Sequence, residues 1–145
     1  MKKAYITGAT GAIGMALVDE LLKNGISTTV FLRKGSGRND RVKDSFSGEL
    51  ASGLLRIEYV SLEELSGYAM SRNTQDMQTY ASQDLLTKAA GGADTAVFYH
   101  LGWSGTFGEQ RNNADMQQKN VEYALDAVRL AKRLGCVHFI GVGSQ

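Results

Sequence analysis

Three glycines close to the N-terminus are the residues whose spacing most clearly predicts chemistry. They belong to the segment Thr7-Gly8-Ala9-Thr10-Gly11-Ala12-Ile13-Gly14. A glycine-rich turn between a strand and a helix brings backbone N–H groups and the positive end of the helix dipole to a phosphate. The spacing alone is weak evidence, but here it follows an apolar segment and opens an amphipathic one. We therefore expect the turn to bind a dinucleotide pyrophosphate; a glycine-rich turn without a ligand is the alternative.

Each glycine of this turn has its own predicted role. Gly8 allows the tight turn, Gly11 lets the backbone approach the phosphates, and Gly14 lets the helix pack close to the sheet. The cofactor contacts predicted from this segment are Gly8, Thr10, Gly11, Ala12, Ile13 and Gly14.

A basic segment after the second predicted strand indicates which dinucleotide binds. An NAD enzyme usually has Asp or Glu about 20 residues beyond the glycines, where it accepts hydrogen bonds from the adenosine ribose. This chain has Arg33 at that place, followed by Ser36 and Arg38. A guanidinium binds a 2′-phosphate through charge-assisted hydrogen bonds, whereas a carboxylate repels it. The segment favours NADP over NAD, and a solvated basic loop is the alternative.

Short β-branched or aromatic runs alternate with helical stretches, and these elements must position the site. Such alternation predicts an α/β fold, a parallel sheet with helices on both faces, in strand order 3-2-1-4-5. The predicted strands are residues 3–7, 28–32, 55–60, 95–101 and 137–142. The predicted helices are residues 12–24, 84–90 and 110–134, the last with Val121, Leu125, Val128 and Leu134 at helical spacing. Residues 67–82 are polar, and we expect an irregular, exposed insertion there.

The composition excludes several classes of protein. The 145 residues carry 16 Lys and Arg against 15 Asp and Glu, which is not the footprint of a nucleic-acid or membrane-surface protein. No apolar run is long enough for a signal peptide or a membrane span. One cysteine and two histidines are too few for a disulfide or a convincing metal site, so we expect no metal and packing roles for Cys136, His100 and His138. A cytoplasmic setting fits this composition.

The glycine segment resembles the Thr-Gly-x-x-Gly-x-x-Gly fingerprint of the extended short-chain dehydrogenases/reductases, the group of sugar-nucleotide epimerases and dehydratases. Three later segments are similar to this family and follow in its order: Val97-Phe98-Tyr99-His100-Leu101-Gly102-Trp103, Lys119-Asn120-Val121 and His138-Phe139-Ile140-Gly141-Val142-Gly143-Ser144. The resemblance covers the whole chain but only the N-terminal half of the family's length. It implies a Rossmann-type dinucleotide-binding domain over residues 1–145.

The resemblance also implies roles for individual residues. Asn120 and Ser144 match members of the family's catalytic tetrad, the asparagine with a proton-relay water and the serine beside the substrate. Leu101, Gly102 and Trp103 match the strand end that lies over the cofactor, and Trp103 is either an aromatic wall near the nicotinamide or a packing residue. The small neighbours of Asn120 would also let its amide lie against the sheet and bind backbone or water; a solvent-facing amide is the alternative.

Two departures from the family pattern bear on the site. The aspartate that often reaches the adenine after the third strand is absent, and Ser61-Leu62-Glu63-Glu64 stands there, which leaves that contact open. No tyrosine is followed four residues later by lysine, so the family's Tyr-x-x-x-Lys pair is missing. Because residue 145 precedes the segment where the family keeps that pair, we expect an incomplete domain without the substrate-binding region. Such a fragment should bind a dinucleotide weakly and have no turnover by itself.

As a whole, the resemblance implies the NAD(P)-binding half of an oxidoreductase, epimerase or dehydratase. It would act on a nucleotide-activated sugar by hydride transfer to and from the nicotinamide, with NADP preferred over NAD, and a homodimer is compatible with the family. A non-catalytic NADP-binding sensor or interaction module, which keeps the Rossmann domain and lacks the catalytic pair, is the alternative.

Overall fold

The sheet is built from short strands rich in β-branched and aromatic residues. The structure is a computed structural model and describes residues 1–71 and 95–142. Its strands are β1 (Lys3–Thr7), β2 (Ser27–Leu32), β3 (Leu55–Tyr59), β4 (Ala96–His100) and β5 (His138–Gly141). They pair in parallel in the order β3-β2-β1-β4-β5, which confirms the predicted sheet. Each predicted strand differs from the observed one by at most one residue at either end.

Five helices are described, together with two 3₁₀ turns at Leu62–Glu64 and Gly108–Asn112. The helices are α1 (Ala12–Lys23), α2 (Asn39–Ser45), α3 (Ser47–Ser52), α4 (Leu65–Ser71) and α5 (Ala114–Arg133). After β3 the chain crosses to β4 on the other side of β1. This reversal of direction beside β1 is where a Rossmann-type sheet leaves a crevice at the carboxyl ends of its strands.

Two apolar clusters, one on each face of the sheet, hold the helices in place. On one face, α1 and α2 pack on the central strands through a cluster that includes Val18, Val30 and Val42. On the other face, α4 and α5 pack on the sheet through a second cluster that includes Phe98 and Leu130. Burial of one such side chain contributes about 1.5–3 kcal/mol, so the two clusters fix the helices on both faces, as predicted.

The helix after β4 begins later than predicted. We expected one helix over residues 110–134, but Gly108–Asn112 forms a 3₁₀ turn and α5 begins at Ala114. The cause is Asn113, whose backbone is extended and whose Oδ1 accepts a hydrogen bond from Met116 N–H at 3.1 Å. Asparagine is among the best residues for this position, where it stabilises a helix by about 1 kcal/mol.

The buried face of α5 does not include three of the aliphatic residues that predicted its apolar period. Of the four residues with this spacing, Val121, Leu125 and Val128 are 49%, 49% and 44% exposed, whereas Leu134 is partly buried against the second cluster. The buried residues are Asn120, Tyr123, Ala127, Leu130 and Ala131. The helix therefore buries an amide and a phenol near the site.

The segments that connect the strands were predicted less accurately than the strands themselves. Helices α2 and α3 were not predicted, because they have only seven and six residues and together bury only Asn39 and Val42. Residues 67–71, expected to be irregular, belong to α4. The rest of that predicted insertion and the predicted helix over residues 84–90 lie outside the described residues.

Candidate functional site

The turn between β1 and α1 requires glycine at two positions for its own packing. Gly8 has φ +76°, and a Cβ there would lie 2.6 Å from Gly102 N. A Cβ at Gly14 would lie 2.3 Å from Gly8 O. Side-chain carbons do not approach backbone atoms so closely, and the positive φ of Gly8 disfavours any other residue there.

Gly11, the middle glycine of the fingerprint, is free of this constraint. It caps the N-terminus of α1 with φ −77°, and a Cβ there would meet nothing nearer than Gly8 O at 3.6 Å, an ordinary contact. The first N–H groups of a helix have no partner within the helix. An exposed glycine at this point leaves them accessible to an anion.

A cavity of about 730 Å³ lies at the carboxyl ends of the central strands. Its lining comes from the loops after β1, β2, β3 and β4 and from the side of α5. The predicted cofactor residues that line it are Gly8, Thr10, Gly11, Arg33, Ser36, Arg38, Leu101, Gly102 and Trp103. Ala12, Ile13 and Gly14 do not line it, since Gly14 is buried in the turn and Ile13 is 66% exposed on α1.

The basic segment after β2 is held by Asn39, a residue that the sequence analysis missed. Asn39 Nδ2 donates to Arg33 O at 2.9 Å, and Asn39 N–H donates to Ser36 O at 3.1 Å. Asn39 is buried, whereas Arg33 and Arg38 are exposed at the cavity. The loop is therefore fixed through its backbone while the two guanidinium groups stay accessible. An asparagine at the start of a helix, after a Gly- and Ser-containing loop, is the signal that could have identified it.

Glu63 and Tyr123 also line the cavity, and neither was predicted as a site residue. Tyr123 O–H donates to Glu63 Oε1 at 3.3 Å, which joins the turn after β3 to α5. The pKa of Glu63 is lowered, chiefly because its own backbone N–H donates to the carboxylate, with smaller effects from Ser61, Tyr123 and Arg33. The pKa of Tyr123 is raised, first by burial and then by the Glu63 carboxylate. An ionised carboxylate thus lies at the cavity, in the turn after β3.

A buried pair of side chains ties the end of β1 to the end of β4. Thr7 Oγ1 lies 2.8 Å from His100 Nδ1, and Gly102 N–H donates to Thr7 Oγ1 at 3.3 Å. The hydroxyl oxygen accepts from Gly102, and the imidazole tautomer decides which of Thr7 and His100 donates in the bond between them. His100 is 2% exposed and stacks on Phe139 with ring centroids 6.1 Å apart. These contacts are those of a packing residue that aligns the two loops.

The burial of His100 predicts a pH dependence of folding. Burial lowers its pKa below the ordinary value of 6.5. Below about pH 6.5 the unfolded chain takes up a proton that the folded protein does not, so stability falls as the pH drops towards the lowered pKa. We expect urea denaturation to show a smaller loss of stability between about pH 7 and pH 5 for His100→Gln than for the wild type. The exposed His138→Gln is the matched control and should keep the wild-type dependence; equal dependence in both variants would contradict this prediction.

The side chain of Asn120 forms hydrogen bonds to the backbone of the loop after β4 and not to a strand of the sheet. It is 1% exposed, so the solvent-facing alternative is wrong. Its Oδ1 accepts from Ser104 N–H and its Nδ2 donates to Ser104 O, each at 2.9 Å. The amide therefore joins the loop after β4 to α5. Its catalytic role stays a prediction, and Ser144 lies outside the described residues.

Cys136 packs at the edge of the cluster between the sheet and the helices α4 and α5. Burial raises the pKa of its thiol to about 11. Because the thiolate is the nucleophilic form, a thiol with such a pKa is unreactive near neutral pH. This environment is that of a packing residue.

Neither a metal centre nor a membrane span is found in the part of the chain that the structure describes. Residues 1–71 and 95–142 hold no group of three or more His, Cys, Asp or Glu side chains that could bind a metal ion. No helix within the same ranges is both long and apolar enough to cross a membrane.

The parallel sheet, the glycine turn and the cavity at the carboxyl ends of the strands define a dinucleotide-binding fold of the Rossmann type. The profile of the NAD-dependent epimerase/dehydratase family matches residues 4–145. The chain therefore belongs to this family. No functionally curated protein matches the sequence.

Solved structures show the same fold in longer proteins. A UDP-galactose 4-epimerase has a TM-score of 0.64 and 17% identity, over 99% of this chain and 38% of that one. A short-chain dehydrogenase/reductase superfamily protein from Agrobacterium tumefaciens with bound NAD has a TM-score of 0.54 and 18% identity, over 98% and 32%. The yeast methylglyoxal/isovaleraldehyde reductase complexed with NADPH has a TM-score of 0.53 and 13% identity, over 90% and 31%. This chain thus spans between 31% and 38% of the length of these proteins, and the likeness is one of fold.

Proposed function

We propose that the chain binds NADP(H) along the cavity. Gly8–Gly11 would hold the pyrophosphate, the segment after β2 the adenosine end, and Leu101-Gly102-Trp103 the nicotinamide end. The strand order supports this assignment, because β1 lies between β2 and β4 and its loop therefore lies between the other two. A dinucleotide has the same order of parts, with the pyrophosphate between two nucleosides.

The observation that carries the proposal is the contrast among the three glycines. The packing of the protein itself leaves no room for a side chain at Gly8 or Gly14, whereas it leaves room for one at Gly11. Gly11 lines the cavity at the N-terminus of α1, where unpaired N–H groups attract an anion. A ligand that must approach this backbone explains why a side chain is absent there.

The choice of NADP over NAD is supported by the charges of the segment after β2. Arg33, Ser36 and Arg38 line the cavity, and the nearest carboxylate of that segment is Asp40. Two guanidinium groups and a hydroxyl can each donate to a 2′-phosphate. A ribose hydroxyl, by contrast, is best met by a carboxylate, and residues 31–38 contain none.

We further propose that the domain serves an enzyme that acts on a nucleotide-activated sugar. Membership of the epimerase/dehydratase family and the likeness to a UDP-galactose 4-epimerase support this substrate class. When bound, the nicotinamide supplies or accepts the hydride. The residues that line the cavity would bind and orient the dinucleotide, and Asn120 would fix the loop after β4 beside the dinucleotide. We assign to Ser144 the family's role of hydrogen-bonding the reacting oxygen of the substrate.

Calorimetric titration of the protein with NADPH and NADH tests the first part of the proposal. We expect saturable binding of both, with NADPH tighter, and binding of neither would overturn the proposal. An assay of the complete gene product for NADP(H)-dependent conversion of a panel of nucleotide sugars tests the second part. Binding without conversion of any of them would favour the non-catalytic module.

A further inference from the structure

Trp103, the single tryptophan of the sequence, is held at the cavity by a side chain that has no role in the proposal so far. Trp103 lines the cavity beyond β4, and its Nε1–H donates to Gln117 Oε1 at 3.1 Å. We propose that Gln117 is a positioning residue that fixes Trp103 as the wall for the nicotinamide ring. This inference rests on the proposed binding of NADP(H).

The hydrogen bonds of Gln117 leave its side chain a single orientation. Its Oε1 also accepts from Asn120 Nδ2 at 3.2 Å, while its Nε2 donates to Arg111 O at 3.0 Å and to Gln110 O at 3.5 Å. A glutamine amide has two lone pairs on oxygen and two hydrogens on nitrogen, and these bonds use all four. Rotation of the amide by 180° would set its hydrogens against two donors and its oxygen against two carbonyls. The side chain therefore joins Trp103 to α5 and to the 3₁₀ turn before it.

Trp103 is anchored through its backbone as well as through its ring. The next residue, Ser104, has both its N–H and its carbonyl bonded to the side chain of Asn120. Asn120 is in turn bonded to Gln117, so the two amides form one network that holds the indole and the peptide after it. A side chain that is fixed before the ligand arrives loses little further freedom on binding, which favours affinity.

The nicotinamide ring is the part of the dinucleotide that would lie against the indole of Trp103. Trp103 lies beyond β4, on the other side of the glycine turn from Arg33, and therefore at the end of the cavity opposite the adenosine. The oxidised ring is a flat aromatic cation, and tryptophan is the side chain that attracts such cations most strongly. The wall should thus contribute to the affinity for NADP⁺ and make no contribution to that for 2′,5′-ADP, which has no nicotinamide.

The test compares Gln117→Leu with Gln118→Leu, a control on the exposed neighbouring glutamine of the same helix. Calorimetry gives the dissociation constants of NADP⁺ and of 2′,5′-ADP for each protein. For Gln117→Leu we expect NADP⁺ affinity to fall about two- to tenfold, as for one lost hydrogen bond, with unchanged 2′,5′-ADP affinity. The emission of Trp103 should shift to longer wavelength and be quenched more strongly by acrylamide. Gln118→Leu should match the wild type in all of these measurements.

A second variant shows whether Gln117 acts through Trp103. Trp103→Phe keeps an aromatic ring but has no N–H to donate, so we expect the same selective loss of NADP⁺ affinity. Adding Gln117→Leu to Trp103→Phe should then lower that affinity no further. A further loss in the double variant would overturn the inference, as would equal losses of NADP⁺ and 2′,5′-ADP affinity in Gln117→Leu.

The failure of this inference can be distinguished from failure of the proposed function. A wild-type protein that binds neither NADP⁺ nor 2′,5′-ADP would overturn the proposed function before any variant is compared. A wild-type protein that binds both, with an affinity ratio unchanged by the substitutions, would overturn only the role of Gln117. If Gln117→Leu does not fold, Trp103→Phe decides alone, because an unchanged affinity ratio in that variant also contradicts the inference.

Discussion

Arg33→Ala is expected to weaken NADPH binding by about 1.5–3 kcal/mol and to leave NADH binding nearly unchanged. The reason is that the exposed guanidinium is assigned to the 2′-phosphate, which NADH lacks. The substitution removes only the side chain, because the loop is held through the backbone carbonyl of Arg33, which accepts from Asn39 at 2.9 Å. Titration of both proteins with both cofactors gives the change in the affinity ratio.

Arg41→Ala is the matched control for this substitution. Arg41 is exposed on α2, eight residues further along the chain, and does not line the cavity. Its removal changes the net charge by the same amount, so any general electrostatic effect on an anionic ligand appears in both variants. An NADPH-to-NADH ratio that is the same in Arg33→Ala as in the wild type would mean that the basic segment is only a solvated loop.

The fold could be predicted closely wherever local chemistry decides the structure. The strands were found to within one residue because each is a short β-branched or aromatic run, and the start of α1 because the glycine turn precedes it. The start of α5 was wrong by four residues, because the apolar period does not show where a helix begins. Asn113, a strong helix-capping residue, was the signal that decided it.

The residues of the candidate site also divide into those that local sequence could predict and those that it could not. Gly8, Gly11 and Arg33 were predicted because their role depends on neighbours in the sequence, and all three line the cavity. Glu63 and Tyr123 were missed because their bond joins residues 60 positions apart. Gln117 was missed for a related reason: one glutamine among the polar residues of a helix gives no sign that it accepts from an indole 14 residues away. Such contacts arise only when the sheet brings separate loops together.

Gly11 and Gly14 have different predicted roles in the turn, and the structure predicts opposite consequences when each is replaced. In Gly14→Ala the new Cβ would lie 2.3 Å from Gly8 O and 2.7 Å from Ala9 Cα. Both are backbone atoms, so relief requires displacement of the turn itself. A loss of about 3 kcal/mol in the free energy of unfolding is expected, at the upper end of the range for overpacked sites. This variant is the contrast for the ligand-binding test at Gly11.

Gly11→Ala should leave the fold nearly intact and reduce the affinity for NADPH at least tenfold, about 1.4 kcal/mol or more. Alanine accepts the φ of −77° at this position, and its Cβ meets no protein atom closer than 3.6 Å. The helix loses at most about 1 kcal/mol, because glycine caps an N-terminus better than alanine. The same methyl group would stand between the N-terminus of α1 and the phosphate that the cavity is proposed to hold. Urea denaturation and NADPH titration separate the two effects, and a Gly11→Ala protein that binds NADPH as tightly as the wild type would remove the observation on which the proposed function depends.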